Sequence, residues 1–138
     1  MVNPDKHIRK AFYDLLNGME VGGYVIRVYD TEVTGAANPM HYILMHSQTK
    51  EPTNESKCGY QWDCTILLDV ITRFTGTGNP GSRLLVNDIE EEIFNRVEGF
   101  ALSDLFSIEW ESSVSADIKT NTENMFRQLI RYRIIINN

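Results

Sequence analysis

Apolar and polar positions alternate most clearly from Tyr60 to Phe74, in YQWDCTILLDVITRF. Tyr60, Trp62, Cys64, Ile66, Leu68, Val70 and Phe74 fall on one side of an extended chain, and Gln61, Asp63, Thr65, Asp69 and Arg73 on the other. Leu67 and Ile71 interrupt the polar side. The pattern predicts a strand with one covered face and one wetter face that something else partly covers. The closing stretch NMFRQLIRYRIIIN repeats it: Phe126, Ile130, Tyr132, Ile134 and Ile136 at even positions belong on a core, and Arg127, Leu129, Arg131, Arg133 and Ile135 share the odd face. GGYVIRVYDTEV, MHYILMHS and DLFSIEWESSV read as further strands. The turn-rich TGAANP between the first two predicts an antiparallel hairpin.

Two segments follow a helical period instead. In DKHIRKAFYDLLNGM, the residues Ile8, Ala11, Phe12, Leu15, Leu16 and Met19 form one stripe, with Asp5 as a cap and Gly18 as a stop. SRLLVNDIEEEIFNRVEGF turns Leu85, Ile89, Ile93 and Val97 inward between a Ser82 cap and a Gly99 stop. Gln48–Gly59 and Ser112–Glu123 are polar and aperiodic, and read as exposed loops near 48–59 and 112–123. The expected fold class is α+β: a single domain over residues 1–138, with a mostly antiparallel sheet, two helices packed on one face, and the order α-β-β-β-α-β-β.

Composition adds limits. Net charge is -6 and the sequence pI is near 5.0, which argues against a non-specific nucleic-acid binder but not against a local basic stripe. No apolar run is long enough to span a bilayer, and MVNPDKHIRK lacks the apolar region of a secretory signal. Cys58 and Cys64 make no disulfide framework and read as reduced thiols.

Candidate chemistry is sparse. The residues His7, His41, His46, Cys58 and Cys64 lack zinc-ligand spacing, so no metal or cofactor is expected. Pro4-Asp5 followed by Glu55-Ser56-Lys57 matches a metal-nuclease pattern, in which carboxylates hold a divalent ion and a lysine steadies developing charge. A metal-dependent nuclease using Asp5, Glu55 and Lys57 is therefore the alternative to a non-enzymatic protein. Against it, Glu55 and Lys57 sit in a polar loop and Asp5 opens a helix. Asp63 and Asp69 share a strand face about 20 Å apart, too far for an acid–base pair. Glu90–Glu92 lie on the outer helix face as a solvated run, with a subunit contact or a lining that repels DNA from a channel wall as the alternatives.

Arg127, Arg131 and Arg133 on one strand face are the most distinctive feature. Glu109 and Glu111 of the preceding strand can stand beside Arg133 and Arg131 in an antiparallel register, which makes a charge ladder the plain explanation. It leaves Arg127, Leu129 and Ile135 unexplained. A partner surface would cover these together with Leu67 and Ile71, and Lys50 and Lys57 in the first loop are further candidate contacts.

The order of elements, the helix NDIEEEIFNRVEG and above all the closing TNTENMFRQLIRYRIIIN resemble the tail-terminator and tail-completion proteins of tailed bacteriophages. The resemblance spans roughly Lys6 to Ile136. It implies a structural virion protein, present in the host cytoplasm during assembly, that forms a ring with its own copies, often a hexamer. Such a ring contacts the tail tube and the head-side connector, or serves as a neck component. DNA crosses its lumen without sequence-specific binding, and no membrane and no catalytic residues are implied.

Overall fold

The computed structural model describes residues 3–31, 40–53, 61–76, 79–100 and 106–137. In chain order the elements are α1 (Pro4–Leu16), β1 (Met19–Val21), β2 (Tyr24–Tyr29), β3 (His41–Thr53), β4 (Gln61–Thr75), α2 (Leu84–Glu98), β5 (Phe106–Ser115), β6 (Ile118–Lys119) and β7 (Glu123–Asn137). Of the described residues, strand takes 56% and helix 25%, so sheet pairing rather than helix packing sets the architecture. Its spine is the antiparallel pair β4–β7, in unbroken register from Gln61↔Asn137 to Thr75↔Glu123. The sheet runs β1-β2-β3-β4-β7-β5, with β6 also on β7, and curls into a half-barrel.

This overturns the expected fold class. The sheet is mixed, because β2 and β3 pair parallel through Arg27↔Tyr42, Val28↔Ile43 and Tyr29↔Leu44, where an antiparallel hairpin was expected. The order is α-β-β-β-β-α-β-β-β. The added strand comes from Gly22 and Gly23, whose φ values of 58° and 84° form the two-residue turn that folds β1 back on β2. That hairpin occupies one edge of β2 and leaves the other to meet β3 in the parallel sense.

The two segments expected as loops are also largely strand. β3 continues through Thr53 opposite β4, with a register shift between Met45 and Gln48. Residues 54–59 lie outside the described residues. Between 112 and 123, β5 runs to Ser115 and β6 adds Ile118 and Lys119 against β7. Polarity reported side-chain exposure correctly, but the long neighbours β4 and β7 supply backbone partners that hold polar residues in strands.

The core lies between one sheet face and the two helices. α1 contributes Ile8, Phe12 and Leu16, and α2 contributes Val86, Ile89, Ile93 and Val97. They meet Cys64, Ile66, Leu68 and Val70 of β4 and Ile130, Tyr132 and Ile134 of β7. Each such aliphatic or phenyl side chain contributes about 1.5–3 kcal/mol by burial. The helix starts differ by a residue or two from expectation. Asn3, not Asp5, caps α1, its Oδ1 accepting from Asp5 N at 3.2 Å, with Pro4 at the first helical position. Ser82 Oγ accepts from Leu84 N at 3.1 Å, although the helix opens after Arg83. Gly81 has φ 65°, and a Cβ there would come within 2.5 Å of the Phe74 ring, so only glycine fits this entry into α2.

Candidate functional site

The face of the sheet turned away from the helices carries the odd positions of β4 and β7. Two aspartates of β4 are gripped by two arginines of β7. Arg133 Nε and Nη2 donate to the two carboxylate oxygens of Asp63 at 2.9 and 2.6 Å. Arg127 Nε and Nη2 donate to those of Asp69 at 3.3 and 2.5 Å. Both pairs are diagonal: Asp63 faces Ile135 and Asp69 faces Leu129 directly, and the arginine stands two residues earlier on β7. Long side chains reach across this diagonal readily.

The ladder expected from β5 forms in part. Glu109 stands opposite Arg133, and its carboxylate lies 3.4 Å from the guanidinium. Glu111 falls where the register shifts between Trp110 and Ser112, so Ser112, not Glu111, faces Arg131. A bulge inserts one extra residue and re-aims the side chains beyond it, which alternation alone does not reveal. Among the described residues Arg131 has no ion pair, and it faces Leu67 across β4.

Electrostatics follow from these contacts. The hydrogen bonds from Arg133 hold the Asp63 carboxyl below its ordinary 3.8, against a smaller opposing effect of burial. Asp63 in turn raises the Arg133 pKa, and Asp69 raises that of Arg127. The guanidinium groups are thus fixed as cations.

The apolar candidates occupy the same face. Leu67, Leu129 and Ile135 are half-buried, whereas Ile71 is 5% exposed and belongs to the interior. Lys50 is tied to the start of α1, with Nζ 2.9 Å from Asp5 and 3.0 Å from Asn3 Oδ1. Lys57 lies outside the described residues, as does Glu55. The structure therefore brings Asp5 to Lys50 but places neither Glu55 nor Lys57. Among the described residues no group of three or more His, Cys, Asp or Glu could hold a metal ion. Cys64 is a buried free thiol, pushed up to about 11 by burial.

One feature of this face has no counterpart in the sequence reading. Beside Asp69 and Arg127 lies a cavity of about 670 Å³ bordered by Arg9, Asp30, Tyr42 and His46. Arg9 reaches it from α1. It pairs with the Asp30 carboxylate and donates to Met45 O at 2.9 Å and Gln48 Oε1 at 2.9 Å. A ligand entering here meets carboxylates that each already hold a guanidinium. Equal six-residue spacing of Asp63 and Asp69 on one strand and Arg127 and Arg133 on the other was the available signal for the paired face.

No family model matches the chain, and no curated protein matches it significantly. No described helix is long and apolar enough to cross a membrane.

Proposed function

We propose that this protein is a structural virion component that assembles with its own copies into a ring at the phage tail end or head–tail junction, as a tail terminator, tail-completion or neck protein. The observation that carries the reading is the outer sheet face. There half-buried Leu67, Leu129 and Ile135 alternate with arginines, two of them locked by aspartates and one, Arg131, without an ion pair among the described residues. Locked charges keep fixed positions and so can set the register of a neighbouring subunit, while the leucines and isoleucine supply apolar contact. A ring needs head-to-tail contacts between different surfaces of identical subunits, and this face would be one of the two.

The mechanism is assembly. One side of the ring docks on the last ring of the tail tube and stops growth, and the other presents a site to the head-side connector. The net charge of -6 limits phosphate contacts, which suits a lumen that DNA crosses without being held.

Sedimentation of the purified chain, alone and mixed with tail tubes, tests the reading, with electron microscopy of the products. Discrete rings, or rings capping tube ends, are expected. A chain that stays monomeric under both conditions overturns it. So does magnesium-dependent DNA cleavage that disappears in Glu55→Ala.

A further inference from the structure

β5 is the last strand of the sheet. Its inner side pairs with β7, and among the described residues no strand pairs with its outer side. Such an edge presents a row of backbone donors and acceptors to any extended chain, and proteins usually blunt it with lysine, proline or brevity. β5 has no lysine or proline and runs for ten residues, FSIEWESSVS; the bulge between Trp110 and Ser112 divides the edge into two short pairing stretches, and its only charges, Glu109 and Glu111, are acidic. Its side chains include exposed Trp110 at 54% and Val114 at 57%.

A groove runs between this strand and α2. Its volume is about 520 Å³, and its described walls include Phe94, Val97, Ile108, Trp110 and Tyr132, with Glu98 beside them. The Phe94 and Trp110 rings stand edge to face, centroids 6.1 Å apart, and Trp110 Nε1 donates to Ser113 Oγ at 2.9 Å. The indole is therefore held in place although half its surface is open.

The groove is also negative. Glu90, Phe94 and Glu98 are spaced by four and share one stripe of α2. Glu92 is paired with Arg96, but neither Glu90 nor Glu98 has an ion pair among the described residues, and one Glu90 oxygen is buried without a hydrogen-bond partner. Beyond the effect of burial, both carboxylates push the Tyr132 phenol upward, and of the two Glu98 lines the groove.

We propose that this groove binds an extended segment of a partner protein by strand addition to β5, and that an arginine or lysine of the segment seats on the Trp110 ring against Glu98. Backbone pairing supplies affinity, and the aromatic and acidic wall selects the cation. Charge picks the occupant. Two copies of β5 paired together would add Glu109 and Glu111 of each to the same strand pair with no basic residue between them, which is unfavourable. The groove lies on the helix side of the sheet, where Trp110 faces Tyr132, and not on the face with Leu67 and Arg131. It operates whether or not the chain forms a ring.

The probes are two peptides of about ten residues, a strand's length, alternating threonine and valine around a central arginine in one and a central glutamate in the other. They are titrated against the full chain by tryptophan fluorescence and by amide exchange. The arginine peptide is expected to bind about tenfold more tightly, the scale of one cation–π contact with one charge pair. Its binding should slow exchange in residues 107–115. Glu98→Gln should remove most of the preference for arginine while leaving the fold, checked by circular dichroism, intact. Equal affinity for the two peptides, protection elsewhere than β5, or concentration-dependent self-association lost in Trp110→Leu would each overturn the proposal, the last by making a second copy the occupant.

Discussion

Asp63 and Asp69 stand six residues apart on β4, and the arginines that grip them, Arg133 and Arg127, stand six apart on β7. The two pairs share strands, diagonal and two-pronged geometry, yet their surroundings differ. Side-chain exposure is 27% for Asp63 and 41% for Arg133, against 1% for Asp69 and 26% for Arg127. Asp69 lies where β3 and the Tyr42 side chain close over the sheet, and Asp63 lies near its open end, where Glu109 joins the network. One arrangement of residues thus does two jobs. Within the fold it keeps a buried carboxylate tolerable, and at the rim it holds a charge in a fixed place. An exposed pair gains little because water screens it, whereas a buried charge deprived of its partner is strongly destabilising.

The largest effect follows directly. Arg127→Ala leaves Asp69 ionised and buried, and should cost about 3–5 kcal/mol in urea unfolding at neutral pH. Arg127→Lys should recover only part of this, since an ammonium cannot match both carboxylate oxygens. A loss no greater than that of Arg133→Ala would erase the distinction between the two ends. The double replacement Asp69→Leu with Arg127→Met should be markedly less damaging than Arg127→Ala alone, because no charge is left stranded.

Acid titration separates the ends next. His41 is 5% exposed, packed edge-on to Tyr24, and burial lowers its pKa from 6.5. As pH falls below 6.5 the unfolded chain takes up a proton that the folded chain resists, so stability should decline there, down to the lowered folded value. His41→Phe should flatten that part of the profile. Asp63 acts lower. Its folded pKa lies below 3.8, so its contribution is complete above that value and fades as pH drops through the depressed one. Asp63→Asn should remove only this low-pH component, and a change in slope near neutrality instead would assign the effect elsewhere.

How much of this was legible in the sequence depends on the kind of signal. The period-2 alternation of β4 and β7 and the stripes of both helices placed Ile66, Leu68, Ile89, Ile93 and Ile134 in the core, where they lie. Alternation also put the three arginines on one face. It could not say which strand would supply their carboxylates. β5 is the long strand that precedes β7 in sequence, with only the two-residue β6 between, but β4 flanks β7 on its other side along its whole length and brings both aspartates. Parallel pairing of β2 with β3 leaves no periodic trace, since apolar alternation is the same in either strand direction and the connection decides between them. The bulge at Glu111 likewise depends on accommodating β5 against β7 and not on residue type. Polar stretches such as Gln48–Thr53 read as loops because polarity reports solvent, and says nothing about whether a neighbouring backbone is available.

Arg131 gives the smallest change in stability and the sharpest reading of the outer face. It lies on β7 between the two clamped arginines, faces Leu67 and Ser112, and has no ion pair among the described residues. Reversing its charge breaks no ion pair among the described residues, so Arg131→Glu should shift unfolding free energy by only about 0.5 kcal/mol. If the face packs against a neighbouring subunit, the same substitution places a carboxylate where a cation is accommodated, and should shift sedimentation toward monomer with the unfolding curve unchanged. Arg133→Ala is the comparison: it deletes one of the charges that Asp63 holds in register, so it should also weaken assembly, but without the repulsion that a carboxylate at position 131 introduces. An Arg131→Glu chain that assembles like the parent would move the subunit contact off this face and leave the paired arginines as internal ties alone.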